Sequence, residues 1–249
     1  TYNLVSKSTK IMELLQYVGE IDCFVSICKM IKSKNFSFPK FSSSKKPIIN
    51  AKEVWHPYLN PKNAVKNDIQ LGGNEKPNNM VITGPNAGGK STFIKSVTLL
   101  LLFGQSLGVV PSSDCEFTPF SLLNTYLNIP DCKGKESLFE AEMHRARDHI
   151  RDLEGLDPNS KAFIVMDEIF SSTNPEEGIS GGYAIAKKLG EFSNSVTLLT
   201  THFNYLTNLE KQTKNYKAYK IPIKRENDRI VYPYKLTEGV SDQFIALEL

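Results

Sequence analysis

One eight-residue segment limits the possible folds of this chain more than any other. Residues 84–91 read GPNAGGKS, which follows the pattern G-x-x-x-x-G-K-[ST]. An apolar run at residues 80–83 precedes the segment, and a helical pattern at residues 91–107 follows it. A glycine-rich turn between a strand and a helix directs backbone N–H groups at a bound phosphate. The sequence therefore predicts a phosphate-binding loop within an α/β fold.

Each residue of this loop is a candidate for contact with a nucleotide. Glycines let the backbone approach the phosphates, Lys90 adds a positive charge near the β- and γ-phosphates, and the Ser91 hydroxyl can ligate Mg²⁺. The alternative is an accidental glycine-rich turn, and the flanking strand and helix argue against it. The predicted contacts from the loop are Gly84, Pro85, Asn86, Ala87, Gly88, Gly89, Lys90, Ser91 and Thr92.

A second apolar strand, at residues 162–166, ends in the two carboxylates Asp167 and Glu168. Beside a bound nucleotide, Asp167 can hold Mg²⁺, directly or through water. Glu168 can then orient or deprotonate the attacking water. Two acids after a strand are otherwise common at the start of a solvated loop. The phosphate loop in the same chain favours the catalytic interpretation.

Two further polar residues have both a structural and a functional interpretation. His202 follows another apolar strand, at residues 196–200. Because the carboxyl ends of parallel strands share one edge of a sheet, His202 is expected near Lys90 and Glu168 as a sensor of the γ-phosphate. Ser137 precedes Glu140 by three residues, a capping box that begins a helix. The same hydroxyl can also receive a phosphate that another subunit presents.

Length and composition limit the remaining possibilities. A chain of 249 residues with 40% hydrophobic content is expected to form one domain with a short appendage. Its net charge of +3 is far from the positive field of an autonomous nucleic-acid binder. The absence of a long apolar run or a signal peptide indicates a soluble, intracellular protein without a membrane partner. Four cysteines are too few for a disulfide framework and are expected to be reduced and buried: Cys23, Cys28, Cys115 and Cys132.

The first fifth of the chain has a different pattern. Apolar residues recur at helical spacing between residues 11 and 28, which predicts an amphipathic helix packed on its own domain rather than a coiled-coil seam. Residues 32–46 are rich in serine and typical of a linker. We therefore divide the chain into a helix with a linker at residues 1–46 and an α/β domain at residues 47–249. That domain is expected to have a largely parallel central sheet flanked by helices. Because residue 1 is not methionine, the chain is expected to be a piece of a longer protein.

These elements, in this order, resemble the ATPase domain of the MutS family from about residue 54 onward. Residues 82–92, ITGPNAGGKST, are close to the family's phosphate loop, and residues 137–143 resemble its Ser-Thr-Phe-x-x-Glu-Met signature. The run TTHF at residues 200–203 resembles its Ala-Thr-His-Tyr switch. Upstream, WHP at residues 55–57 resembles its Arg-His-Pro segment.

The resemblance implies a P-loop NTPase of the ABC-ATPase type that binds ATP with Mg²⁺ and hydrolyses the ATP. Nucleotide sites in that family are composite, so Ser137 of one subunit would complete the site on the other subunit of a homodimer or a MutS-like heterodimer. Residues 11–34 would be the end of a helical arm leading to a DNA clamp, with DNA contacted mainly by domains outside this chain. The implied site residues are Ser91 and Asp167 for the metal, Glu168 and His202 for catalysis, and Val65, Asn67 and Tyr234 for the adenine.

Two segments depart from the family's pattern. Asp-Glu-Ile-Gly-Arg-Gly-Thr-Ser-Thr becomes DEIFSSTNP at residues 167–175, and Ser-Tyr-Gly becomes QFI at residues 243–245, which indicates a divergent branch. A DNA-repair ATPase whose nucleotide cycle moves a clamp is the leading hypothesis. The alternatives are a MutS-like ATPase acting on recombination intermediates or ribosomes, and a nucleotide-gated structural module with negligible turnover. An ABC transporter motor would need Leu-Ser-Gly-Gly-Gln before the acidic strand, a context that Ser137 lacks.

The composite site predicts a turnover rate per subunit that rises with protein concentration, because each site would need Ser137 from a partner. Mixing Ser137→Ala with Lys90→Ala protein should restore at most one working site per mixed dimer, built from Ser137 of the second mutant and Lys90 of the first. Phosphate release over a concentration series and in mixtures checks this. Concentration-independent turnover that survives Ser137→Ala would show that the serine only caps a helix.

Overall fold

The computed structural model of this chain describes residues 2–127, 138–226 and 229–241. Cys132, Ser137 and residues 243–245 lie outside this description, so what the sequence predicts for them stays a prediction. The described helices are α1 (Tyr2–Lys34), α2 (Lys90–Leu107), α3 (Leu138–Glu154), α4 (Pro175–Leu189) and α5 (Leu209–Gln212), with a 3₁₀ turn at Asn204–Asn208. None of the helices in these ranges combines the length and apolarity that a membrane crossing requires.

Twelve strands are present in the described ranges. They are β1 (Lys40–Phe41), β2 (Ile48–Val54), β3 (Asn67–Gly72), β4 (Asn79–Thr83), β5 (Asp114–Phe117), β6 (Leu122–Tyr126), β7 (Ala162–Met166), β8 (Ser195–Thr200), β9 (Tyr216–Lys220), β10 (Lys224–Glu226), β11 (Arg229–Val231) and β12 (Thr237–Glu238). The mixed α/β architecture expected from the sequence is confirmed.

The largest sheet has the strand order β12-β9-β4-β8-β7-β6. Strands β9, β4, β8, β7 and β6 are parallel, and β12 pairs with β9 in the antiparallel direction at one edge. Every residue of β4, β7 and β8 is buried. Continuous burial is typical of parallel strands that are covered on both faces, and it explains the continuous apolar runs in the sequence.

Successive residues of β4 point to opposite faces of this sheet, and each face has its own core. Ile82 packs with α2 and with residues of a second sheet, of strand order β1-β5-β2-β3. Val81 packs on the other side with Ala146 of α3, Ala186 of α4 and Leu209 of α5. The phosphate loop therefore leaves a strand that is held from both faces.

The serine-rich segment at residues 32–46 also packs against the α/β domain. Phe36 is buried, with its ring centroid 5.3 Å from that of Trp55. Ser37 forms backbone hydrogen bonds in both directions with Val110, and β1 pairs with β5. Aromatic side chains within a polar segment attach it to the second sheet. The division of the chain near residue 46 stays a prediction.

Helix α1 is present, but its predicted packing on the domain is wrong for most of its length. The apolar side chains between Ile11 and Val25 are 43% to 67% exposed. Contact with the domain comes later, where Ile27, Met30 and Ile31 pack on the cluster of Phe36, Trp55 and Val109. Helical spacing identifies an apolar stripe but carries no information about what covers it.

The predicted burial of the cysteines is correct for Cys115 and wrong for two others. Cys23 and Cys28 lie on α1 and are exposed. Cys23 precedes the part of α1 that contacts the domain, and Cys28 lies within that part but on a face that the domain does not cover. The three described cysteines form no disulfide with one another.

The close packing of α2 against the second sheet gives a test of this fold. A Cβ atom at Gly104 would lie 2.7 Å from the Cζ atom of Phe117 and 3.0 Å from the Cγ1 atom of Val110. Gly104→Ala should therefore lower the free energy of unfolding by about 1–3 kcal/mol, because overpacking displaces buried groups. Urea denaturation measures this change.

Gly19→Ala is the matched control, since a Cβ at Gly19 in α1 meets no atom within 4 Å. It replaces glycine by a better helix former without a clash, and the midpoint of denaturation should not fall. A Gly104→Ala protein as stable as the unmodified chain would contradict the packing described here.

Candidate functional site

The phosphate loop runs from the end of β4 to the start of α2. Its turn uses left-handed backbone at Gly84 (φ 153°), Ala87 (φ 61°) and Gly89 (φ 96°). A Cβ at Gly84 would lie only 2.9 Å from the carbonyl oxygen of Ile221, so a side chain is excluded there. Gly89 precedes α2 without a side-chain cap. The first N–H groups of the helix are therefore free of side-chain acceptors and suited to an anion.

Lys90 lies within the loop rather than at its surface. Its ammonium donates hydrogen bonds to the carbonyl oxygens of Gly84 (3.1 Å) and Pro85 (3.2 Å), and Oε1 of Glu168 is 3.8 Å away. Burial lowers the pKa of Lys90, while the carboxylates of Glu168 and Asp167 oppose this effect. The loop thus holds a desolvated cation beside two acids.

Three side chains meet where adjacent parallel strands end. Glu168 follows β7, His202 follows β8, and the Nε2 atom of His202 is 2.9 Å from Oε1 of Glu168. The hydrogen bond from His202 lowers the pKa of Glu168; burial opposes this, and the charge interactions with His202 and Lys90 add to the lowering. Glu168 is therefore a carboxylate at neutral pH. The proximity of Lys90, Glu168 and His202 expected from strand order is present, and their roles stay predictions.

Asp167 lies behind Glu168 and is 9% exposed. The hydroxyl of Thr200 donates a hydrogen bond to Oδ1 of Asp167 (2.5 Å) and accepts one from the backbone N–H of Glu168 (2.8 Å). Sequence reasoning did not identify Thr200. Its signal was local but weak, because a buried threonine at the end of a strand usually satisfies only nearby backbone.

A cavity of about 440 Å³ opens beside the loop. It brings together most of the predicted contacts from the loop with Glu168, Val65, Asn67 and Tyr234. Of the predicted site residues that the structure describes, those outside its wall are Gly84, Pro85, Asn86, Asp167 and His202. Asp167 is next to Glu168 in the chain, and His202 is hydrogen-bonded to Glu168. Its lining is Val54, His56, Leu59, Asn63, Ala64, Val65, Asn67, Ala87, Gly88, Gly89, Lys90, Ser91, Thr92, Phe93, Ser96, Glu168 and Tyr234.

Asn67 holds a second part of the cavity wall in place, next to the loop. Its Nδ2 atom donates to the carbonyl oxygen of Tyr234 (3.0 Å), and its Oδ1 atom accepts from the N–H of Leu236 (2.8 Å). Both ends of this buried carboxamide therefore hold the chain segment that carries Tyr234. Tyr234 has a left-handed φ of 53°, and its ring stacks on Tyr232 at 6.0 Å between centroids.

His56 is a lining residue whose role the sequence did not indicate, although the segment WHP was noted. Its Nδ1 atom accepts a hydrogen bond from the N–H of Tyr58 (3.4 Å). Burial, and then the charge of Lys95, lower the pKa of His56. A neutral imidazole of this kind has its Nε2–H left to donate. Leu59, Asn63 and Ala64 follow in a turn that carries no recognisable motif.

The segment after the acids departs from the family's pattern in a structured way. Phe170 stands where that pattern has glycine and keeps a left-handed φ of 53°. The ring of Phe170 is fully buried, with its centroid 5.6 Å from that of Phe139 in α3. Ser172 donates a hydrogen bond to Glu142 of the same helix. The divergent residues therefore attach this segment to α3 through side chains that glycine does not have.

Comparison with known proteins agrees with this arrangement. The family model described as MutS domain V matches residues 80–249. The DNA mismatch repair protein MutS of Thermotoga maritima is 30% identical over 242 residues, covering 96% of this chain and 29% of that protein. The MutS of Persephonella marina is 28% identical over 239 residues, covering 95% and 26%. This chain spans less than a third of the length of these relatives.

The buried cation of the loop leads to a binding test. Lys90→Ala should abolish nucleotide binding, because it removes the ammonium from the loop while leaving the surrounding strands in place. Titration with a fluorescent ATP analogue measures the affinity, and circular dichroism checks folding. Lys187→Ala, at an exposed position in the last turn of α4, should bind like the unmodified chain. Near-normal affinity in folded Lys90→Ala protein would mean that the loop is misinterpreted.

Proposed function

This chain belongs to the MutS family, and from that membership we propose that it is the ATP-binding and ATP-hydrolysing part of a DNA mismatch repair protein. One observation carries the proposal: Lys90, Glu168 and His202 meet at the ends of adjacent parallel strands, beside a cavity of about 440 Å³. Open α/β sheets bind ligands at this edge. The six-stranded sheet with helices on both faces supports assignment to P-loop NTPases of the ABC type.

The cavity has the chemistry that ATP requires. Its volume is within the range of small-molecule sites, about 300–1,000 Å³. Backbone N–H groups at the start of α2 and the ammonium of Lys90 would bind the phosphates. Val65 would supply apolar surface and the Tyr234 ring a stacking surface for the base, while Asn67 holds Tyr234 in position.

The donor set near the loop suits Mg²⁺. This ion takes oxygen ligands, keeps several waters, and needs only one or two protein groups beside the phosphates. Within the described ranges, no group of three or more His, Cys, Asp or Glu side chains could hold a metal by itself. The Ser91 hydroxyl and the Asp167 carboxylate are the residues that would hold Mg²⁺. When bound, the ion would neutralise negative charge on the phosphates.

Glu168 is the group proposed to act on the attacking water. With its pKa lowered by His202, it is a strong hydrogen-bond acceptor but a weak proton acceptor, and it would mainly orient the water. If His202 turns towards the γ-phosphate, Glu168 loses the hydrogen bond that lowers its pKa. The carboxylate then becomes more basic. His202 would in this way connect phosphate sensing to the strength of the base.

The proposal extends to assembly. In a homodimer or a MutS-like heterodimer, Ser137 would complete the partner's site, and the described part of α3 begins one residue later, at Leu138. The exposed apolar stripe of α1 suits the end of a helical arm that continues into a DNA clamp. DNA would be contacted mainly by domains outside this chain, in agreement with its small net charge.

Glu168→Gln should separate binding from hydrolysis. The amide keeps the shape of the side chain but cannot accept a proton, so ATP with Mg²⁺ should still bind while hydrolysis falls about 10²- to 10⁴-fold. Because hydrolysis would release the closed dimer, the variant should accumulate as an ATP-bound dimer in size-exclusion chromatography with light scattering. Unchanged single-turnover rates would exclude Glu168 as the base and make His202 the next candidate.

Asp167→Asn is the comparison variant, since it alters the neighbouring acid and leaves Glu168 in place. It should weaken Mg²⁺ binding, so that part of the hydrolysis rate returns at high metal concentration. Hydrolysis measured over a magnesium series distinguishes the two residues. A Glu168→Gln protein rescued by magnesium to the same extent would contradict the division of roles.

A further inference from the structure

Thr200 occupies a position between the two proposed functional acids. It is the last residue of β8 and is fully buried. The parallel register of β7 and β8 aligns Met166 with Leu199, so the next residues along the two strands, Asp167 and Thr200, are also neighbours. The Thr200 side chain therefore meets the backbone and side chains of the acidic segment from inside the sheet.

The Thr200 hydroxyl forms hydrogen bonds with both Asp167 and Glu168. It donates a hydrogen bond to Oδ1 of Asp167 (2.5 Å) and accepts a hydrogen bond from the N–H of Glu168 (2.8 Å). A hydroxyl can do both because it carries one donor and two lone pairs. Engagement of Oδ1 restricts rotation of the Asp167 carboxyl group, which sets the direction of its other oxygen.

The carbonyl group of Thr200 adds a second attachment to the same turn. It accepts a hydrogen bond from the N–H of Ile169 (3.3 Å). Between these two attachments Glu168 has a left-handed φ of 52°, a backbone conformation that is unfavourable for a residue with a side chain. Thr200 thus holds the strained turn that directs the Glu168 carboxylate towards His202 and Lys90.

We propose that Thr200 is a positioning residue for ATP hydrolysis, whose hydroxyl keeps Asp167 and Glu168 in their working orientations without touching the nucleotide. The inference rests on the proposed function of these two acids. Residues 200–203 resemble the family's switch motif, Ala-Thr-His-Tyr, which has alanine at the position of Thr200. In this chain the Thr200 hydroxyl binds the start of the divergent segment at residues 167–175.

Thr200→Val is the principal test, because valine keeps the branched shape and removes the hydroxyl. Loss of a group that orients catalytic or metal-binding residues typically costs about 10- to 100-fold in activity or metal affinity. Thr200→Val should therefore lower the single-turnover rate of ATP hydrolysis by that factor. Thr200→Ser keeps the hydroxyl and should remain within about threefold of the unmodified chain by the same argument. Thr200→Ala removes the hydroxyl without adding a methyl group beside Asp167, and it replaces the valine variant if that protein does not fold.

Two readouts separate positioning from general stability. The magnesium concentration needed for half-maximal binding of a fluorescent ATP analogue should rise about 10-fold or more in Thr200→Val, while binding without magnesium stays unchanged. At saturating magnesium, Thr200→Val in a Glu168→Gln background should reduce the residual hydrolysis rate far less than it does alone, because the effect on the rate that remains passes through Glu168.

The possible outcomes separate the proposed role of Thr200 from the proposed ATPase function of the chain. A Thr200→Val protein with normal turnover and normal magnesium dependence, beside an inactive Glu168→Gln protein, would overturn the role of Thr200 and leave the proposed ATPase intact. A Thr200→Ser protein as slow as Thr200→Val would also overturn it, since the hydroxyl would not be the cause. An unmodified chain with no hydrolysis in single-turnover assays at high protein concentration would overturn the proposed function and this inference together.

Discussion

Parallel pairing of three fully buried strands is the constraint on which the site depends. Backbone N–H and C=O groups in β4, β8 and β7 have no access to water, so they must pair with one another. The register aligns Ile82 with Thr200 and Met166 with Leu199, which brings the residues after each strand to one edge of the sheet. The phosphate loop, the two acids and His202 are distant in sequence and adjacent in space for this reason.

The strands that position the site residues could be predicted because each one is a continuous apolar run in the sequence. Apolar runs identified β4 and β8 to within one residue. Each strand begins one position earlier than predicted, at Asn79 and Ser195, because these polar residues are buried and hydrophobicity alone does not include them. Helix α4 was missed although its start is readable: Asn174 accepts a hydrogen bond from the N–H of Glu177, and proline follows the cap.

Features that depend on distant contacts could not be predicted from patterns. The two hydrogen bonds of Asn67 reach the backbone of Tyr234 and Leu236, and no periodicity links these positions; the family resemblance alone brought Val65, Asn67 and Tyr234 together. Thr200 was missed for a related reason. Its hydroxyl gains importance only when the neighbouring strand places Asp167 beside it. The roles of Asn67 and Thr200 depend on which groups their side chains contact, and the residue type alone does not reveal those contacts.

The attachment of α1 has a mechanical consequence. At 33 residues, α1 is about 50 Å long, and it meets the domain near one end, where Met30 packs in a cluster with Trp55. Trp55 sits in the chain between Val54 and His56, which both line the cavity. If α1 tilts against the domain, this cluster would be its pivot, next to the cavity wall. A tilt of about 5° would move the far end of the helix by about 4 Å, so a small displacement of the wall would be amplified along the helix.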